Sequence, residues 1–276
     1  MAQPEPTIHD QTNILPTGRL IVVFSALASA LLITFIDQQS IGVILPTIGE
    51  DLNSSSTITW AGTSSLIANT AFQVLYGRLS DIFGRKVIII ACLGLLGLGD
   101  LLCSFAQTGP QFFAFRGISG VASGGILALN MMIVSDVTTL KSRGKFMGIL
   151  GAFIGLGNAI GPFISSALAE RVTWRALFWL LCPLAVCSGL VLYVLLPTQN
   201  IPLEPLKAKL GKIDYMGVFF SSAGTILLLI PISGIGTEFP ASSPMAIAML
   251  TLGSSFFVIF VLAEWKIAKL PMFPRE

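Results

Sequence analysis

Eight long apolar runs constrain this chain more than any other feature. They are Leu20–Ile44, Ile58–Tyr76, Val87–Ala106, Phe112–Ser135, Phe146–Leu168, Ala176–Leu196, Tyr215–Ile235 and Met245–Trp265. A helix that crosses a bilayer needs about 20 mostly apolar residues. Backbone groups in hydrocarbon must be satisfied within their own segment or in a closed barrel, and period-2 alternation is absent, so these runs are expected to be helices. Composition agrees. Only 11% of the residues are charged, against 54% hydrophobic, and a soluble domain carries about 25% charged residues.

The connecting segments predict an orientation. Arg19, then Arg78, Arg85 and Lys86, then Lys141, Arg143 and Lys145, then Lys207, Lys209 and Lys212, then Lys266, Lys269 and Arg275 fall on one side. The opposite segments hold Glu50, Asp51, Glu170 and Glu238, with only Arg171 and Arg175 as cations. Cytoplasmic loops carry the Lys/Arg excess, so both termini are expected in the cytoplasm. The expected organisation is a disordered tail over 1–19, a six-helix bundle over 20–196 and a cytoplasmic linker over 197–214. Two further membrane helices follow over 215–265, with a cytoplasmic tail over 266–276. The linker is marked by Pro197, Pro202, Pro205 and its lysines. No apolar leader precedes the first run, so a cleaved signal peptide is not expected.

Several chemistries are disfavoured. The single histidine, His9, lies in the polar tail, and the four cysteines (Cys92, Cys103, Cys182 and Cys187) lie inside apolar runs without metal-ligand spacing. They read as packing residues. An enzyme, a metal and a cofactor are therefore not expected. The net charge of +2 gives no footing for nucleic acid, because the cations are scattered through short segments.

Ionisable groups inside the runs are the functional candidates. An intramembrane charge is costly and marks a site by default. Asp37 lies 17 residues beyond Leu20, about 26 Å along a helix at 1.5 Å per residue, in the outer half of the first run. Thr34, Asp37, Gln38 and Ile41 share its face. Burial penalises the ionised form of a carboxyl, which suits such a group to taking up and releasing protons; the alternative is an Asp in outer-leaflet water that caps or pairs. Arg116, Ser119, Gly120, Ser123, Leu127 and Asn130 line one face of the fourth run. Arg116 either faces a cavity, holding a carboxylate ionised, or snorkels to the headgroups. On the second run Ser65, Asn69 and Gln73 fall at i, i+4 and i+8, lining a cavity or bonding between helices. Asp100 lies near the outer end of the third run, facing the interior or water.

Glycines supply the remaining signals. In the fifth run Gly151 pairs with Gly155, and Gly157 with Gly161, at a spacing that lets helices approach closely; Pro162 removes one backbone hydrogen bond. Between the second and third runs, Gly77-Arg78-Leu79-Ser80-Asp81-Ile82-Phe83-Gly84-Arg85-Lys86 reads as a charged turn at the membrane surface, with glycine freedom at both ends.

That turn resembles the G-x-x-x-D-x-x-G-R-K loop of the major facilitator superfamily, with Ile82 where a basic residue is usual. Asp37 through Leu45-Pro46-Thr47-Ile48 resembles the D-x-x-x-x-x-x-x-L-P-x-I signature of that superfamily's drug:proton antiporters. Arg116-x-x-x-Gly120 is similar to its helix-four motif, with Ser119 in place of a common Gln. The glycine row ending in Gly161-Pro162 is similar to the antiporter motif of helix five, with Ser165-Ser166 where Gly-Gly is usual. Arg143-Gly144-Lys145, Trp174-Arg175 and Lys212-Ile213-Asp214-Tyr215-x-Gly217 also resemble the 14-helix antiporter branch.

This resemblance implies an all-α polytopic membrane protein. Its six-helix bundle would contain two inverted three-helix repeats, followed by two linker helices, with a second six-helix half not present in this chain. It implies proton-coupled export of small organic molecules (drugs, toxins or secondary metabolites) by alternating access. Asp37 and Arg116 would handle the proton. Gly77, Arg78, Asp81, Gly84, Arg85 and Lys86 would form a cytoplasmic gate, and Gly151, Gly155, Gly157, Gly161 and Pro162 the antiporter helix. Gln38, Asn69, Gln73, Ser119, Ser123 and Asn130 are the cavity candidates. The implied partners are substrate, protons, the bilayer, and a second chain or the other half. The plasma membrane or the vacuolar membrane is the expected location. Vacuolar transport of basic amino acids and a non-transporting membrane fragment stay open as alternatives.

Overall fold

The computed structural model describes residues 17–196, 211, 214–236, 240 and 242–266. Residues 1–16 and 267–276 of the expected tails and most of the expected linker lie outside the described residues, whereas Thr17–Arg19, expected in the disordered tail, and Lys266 are helical. Among the described residues the chain forms eight helices and no strands: α1 Thr17–Asp51, α2 Trp60–Phe83, α3 Arg85–Ser104, α4 Gly109–Val137, α5 Leu140–Arg171, α6 Arg175–Leu195, α7 Tyr215–Gly234 and α8 Pro244–Lys266. All but α2 are long and apolar enough to cross a membrane. α2 falls short because Thr63, Ser64, Ser65, Asn69, Thr70 and Gln73 interrupt it.

The helices pack in a pattern with internal symmetry. α1 packs along α5 as α4 packs along α2, and α3 meets α4 as α6 meets α1. Exchanging the first three helices for the next three carries each of these pairs onto its counterpart. α3 also packs against α6, and α1 against α4, along the centre of the arrangement. Each three-helix repeat therefore buries its face against the other. The core joining them includes Leu27, Leu31, Ile44, Leu93, Leu96, Ile126, Leu129 and Phe178. α7 pairs with α8 and lies along α2, where Ser222 Oγ donates to the Ala71 carbonyl at 3.2 Å.

Glycines set the closest crossings. A Cβ at Gly120 or at Gly124 would overlap the α2 backbone at Ser65 or Asn69, so no side chain fits where α4 crosses α2. At Gly157 a Cβ would lie 3.0 Å from the Leu32 carbonyl oxygen, and at Gly161 3.0 Å from that of Ile36. These two positions meet the sequence expectation of close approach. Gly151 and Gly155 do not, because a Cβ at either would touch nothing within 4 Å. Their face of α5 has no helix against it among the described residues.

Several helix ends depart from the sequence reading, while the seventh helix starts at Tyr215 as expected. α1 continues through Pro46 to Asp51, and Asn53 then turns the chain at φ 49°, a left-handed conformation that Asn tolerates. The ten-residue turn from Gly77 to Lys86 contracts to one residue. α2 runs on to Phe83, only Gly84 leaves the helix (φ 95°, ψ 140°), and α3 begins at Arg85. Gly77 sits within α2 and uses no special backbone angle, contrary to its expected role as a turn glycine. Apolarity stops at Tyr76, but helical hydrogen bonding does not, since charges are tolerated where a helix leaves hydrocarbon. At the start of α7, the Asp214 carboxylate caps the helix by accepting from the Gly217 N–H at 2.9 Å. A Cβ at Gly217 would lie 2.5 Å from that carboxylate, which explains why the Asp-x-x-Gly spacing needs glycine.

Candidate functional site

Asp37 and Arg116 form a fully enclosed ion pair. α1 carries Asp37 at 0% exposure and α4 carries Arg116 at 1%. Arg116 Nη1 donates to both carboxylate oxygens of Asp37, at 2.7 and 3.0 Å, and Nη2 reaches Ser65 Oγ at 3.4 Å. Arg116 Nε has no hydrogen-bond partner. The guanidinium thus neither snorkels nor faces headgroups, and Asp37 neither caps nor contacts water. A charge pair taken out of water persists only when each charge has a close partner, and the Gly120 crossing brings α4 near enough to α2 for Ser65 to join.

A third ionisable group completes the cluster. Asp100 on α3 is also at 0% exposure, so the water-facing alternative is excluded. Ser119 Oγ donates to its Oδ1 at 3.3 Å, while Oδ2 has no hydrogen-bond partner. Asp37 and Arg116 both lie within electrostatic reach of Asp100. A Cβ at Gly99 would lie 2.6 Å from Ser119 Oγ, so the glycine beside Asp100 draws α3 and α4 together there. The sequence signal was available: a carboxyl inside an apolar run is a default candidate wherever it falls along the helix.

Arg116 borders a cavity of about 660 Å³ between α1 and α2, which Asp37 does not line. Its polar lining includes Gln38, Gln39, Thr63, Ser65, Asn69 and Arg116, and Ser233 of α7 also reaches it. Of the cavity candidates, Gln38 and Asn69 are in place. Gln73, Ser119, Ser123 and Asn130 do not line it. Ser119 faces Asp100, Ser123 Oγ donates to the Ser119 carbonyl, and Asn130 Nδ2 donates to the Ile126 carbonyl at 2.8 Å. These last two bond back to their own helix, a local choice that spacing alone does not reveal.

Two further clusters clasp the helix ends. At the basic end Arg85 pairs with Asp81 at 3.6 Å and with Asp136 of α4. Its Nη1 also contacts Ser80 Oγ at 3.3 Å and Met132 Sδ at 2.9 Å. Lys86 Nζ lies 5.2 Å from the centre of the Tyr193 ring, while Arg78 is half-buried with Nε unpartnered. Asp136 was missed because it falls just beyond an apolar run. At the opposite end Asp51 accepts from Arg175 Nη1 at 2.7 Å and from Trp174 Nε1 at 3.1 Å. Arg175 Nη2 donates to the Ala106 carbonyl at 3.1 Å and stacks on Trp174 at 4.2 Å. This ties the ends of α1, α3 and α6 together. No group of His, Cys, Asp and Glu suited to holding a metal occurs among the described residues.

This geometry can be set beside known proteins. The chain is 50% identical to Citrate exporter 1 of Yarrowia lipolytica (strain CLIB 122 / E 150), over 97% of this chain and 40% of that protein. It is 32% identical to Efflux pump dotC of Dothistroma septosporum (strain NZE10 / CBS 128990), over 94% of this chain and 44% of the pump. The chain spans less than half the length of these curated relatives. Among solved structures, the human organic anion transporter MFSD10 (TETRAN) superposes with a TM-score of 0.61 at 17% identity, covering 94% of this chain and 73% of that one. The partially occluded, inward-open xylose transporter XylE from E. coli gives 0.57 at 15%, covering 92% and 72%. These two likenesses concern the fold alone. The family model of the Major Facilitator Superfamily matches residues 27–267, and with the symmetric six-helix bundle this establishes that the chain belongs to that superfamily.

Proposed function

We propose that this chain is the proton-handling part of an antiporter that exports small organic molecules by alternating access. The observation that carries the reading is the enclosed Asp37–Arg116 pair, whose Arg116 reaches the wall of a cavity with polar groups among its lining. A fixed cation beside a titratable carboxyl makes proton uptake depend on whether the pair is closed or open to water. Opening the cavity hydrates the pair and lets a proton compete with Arg116 for Asp37. Closing it favours the ion pair and moves the proton off Asp37. Substrate bound in the same cavity couples to that exchange, because it competes for the same polar groups.

Organic anions lead among the substrate classes. The 50%-identical relative is named a citrate exporter. Gln38, Gln39 and Asn69 line the cavity with amide donors for carboxylates. The basic end is read as cytoplasmic, by the Lys/Arg excess there. Asp81 and Arg85 act as its latch, and Gly157 and Gly161 let α5 rock on α1. The other half of the cavity comes from the part of the relatives that this chain does not span, or from a second chain. The plasma membrane suits an exporter.

The test is flux from proteoliposomes holding this chain joined to the uncovered part of the Yarrowia lipolytica relative. Citrate efflux that follows an imposed proton gradient, and stops when the gradient is collapsed, supports antiport. Efflux indifferent to the gradient contradicts it.

A further inference from the structure

The pair Asp37–Arg116 leaves Asp100 over, and the charge count of the cluster then matters. Two carboxyls and one guanidinium lie at 0–1% exposure. Were both carboxyls ionised, the cluster would hold an uncompensated negative charge in the interior, which proteins avoid by neutralising a group. Arg116 stays protonated throughout, so the neutral member is a carboxyl. The hydrogen bonds identify which one. Asp37 receives two bonds from Arg116, whereas Asp100 receives one from Ser119 and its Oδ2 receives none. An ionised oxygen without a donor is far costlier to bury than a protonated one.

We infer that Asp100 is a second proton-carrying carboxyl of this site, holding the proton while Asp37 is paired with Arg116. Transfer of that proton to Asp37, directly or through a water, leaves Asp100 ionised. Arg116 then follows the negative charge from α1 to α3, and its unpartnered Nε offers a donor for the new pair. One O–H bond breaks at Asp100 and one forms at Asp37; nothing else is consumed. The charged and titratable groups facing Asp100 are Asp37 from α1, Arg116 from α4, Cys103 from its own helix and Cys182 from α6. From α2, the Ser65 hydroxyl bonds Arg116.

This inference rests on the antiport reading, but its test does not use transport. Infrared spectroscopy of the purified 276-residue chain at neutral pH reads the carbonyl band of a protonated, buried carboxylic acid, with no substrate and no gradient. The wild-type chain should show one such band, and Asp100→Asn should lose it. In Arg116→Gln, where no cation remains, the band should grow about twofold because both carboxyls take protons. If Asp100→Asn does not fold, Ser119→Ala serves instead: removing the hydrogen bond to Asp100 should shift the band. A wild-type chain without the band, a band that survives Asp100→Asn, or one unmoved by Ser119→Ala overturns the assignment. Gradient-driven flux judges the antiport reading separately.

Discussion

Ser40 on α1 donates from Oγ to the carbonyl of Gly161 on α5 at 2.9 Å, one turn from the point where Gly157 meets Leu32 and Phe35. The contact places a glycine row of one repeat directly on the helix that carries Asp37. Pro162 follows immediately, and as a proline it has no N–H to hydrogen-bond. Around Gly157 and Gly161 the α1–α5 crossing is thus held by backbone proximity and one hydroxyl, while Phe24 and Phe146 pack ring on ring, 4.9 Å between centroids, nearer the basic end.

Substituting Gly161 tests that crossing. Gly161→Val inserts methyl groups where a Cβ alone would lie 3.0 Å from the Ile36 carbonyl oxygen. Overpacking of this kind costs about 1–3 kcal/mol. The expected result is a lower melting temperature in detergent, and gradient-driven flux lost by more than the protein level explains. Gly155→Val, which faces open space, should leave the melting temperature of this chain unchanged.

Gly84 is the single hinge between α2 and α3. At φ 95° and ψ 140° it occupies backbone space that residues with side chains rarely enter. Strain of this kind costs on the order of 1–3 kcal/mol. Gly84→Ala should therefore destabilise the chain by that order, whereas Gly77→Ala, inside α2 with Met132 Cε 3.6 Å from the added Cβ, should be near neutral. Paired thermal unfolding curves check both. Equal losses at the two positions would contradict the observed helix boundary.

Much of this arrangement was legible in the sequence because hydrocarbon punishes charge. Asp37 and Arg116 stood out as ions inside apolar runs, and their burial followed. Gly157 and Gly161 were legible from spacing, since only small residues allow two backbones to touch. The extension of α2 past Tyr76 was not legible, because hydropathy marks where a helix leaves lipid rather than where its hydrogen bonding ends. Asp100 was assigned no side, because the depth of a residue along a helix does not say which face it occupies. Ser123 and Asn130 shared the Arg116 face by spacing, but their hydrogen bonds to the preceding turn were invisible to it.

The enclosed pair makes a strong stability prediction. Arg116→Leu leaves Asp37 without its cation in the interior, where it must take a proton, and breaking a buried pair from one side costs about 3–5 kcal/mol. Adding Asp37→Asn to Arg116→Leu should recover most of that loss, since no carboxyl then has to be neutralised at that position. Denaturation of the three variants in the same detergent checks the cycle. A single variant as stable as wild type would contradict the burial of the pair.

The Asp51–Arg175 clasp predicts a different behaviour. Both side chains are partly exposed, at 46% and 28%, so solvent screens the pair and its removal should cost little stability. Asp51→Asn loses the charge but keeps an acceptor for Trp174 Nε1. The expected outcome is a change in the balance between open and closed states, read as altered labelling of a cysteine introduced at Gln39 in the cavity wall. Unaltered labelling would confine the clasp to a structural role.

The most direct test of the central claim is proton-driven flux with Asp37→Asn, in proteoliposomes of this chain joined to the uncovered part of its Yarrowia lipolytica relative. The account predicts loss of gradient-driven efflux when the two proteins are compared at equal amounts of folded protein, because Asn neither takes nor releases the proton. Full gradient-driven efflux from Asp37→Asn would contradict it.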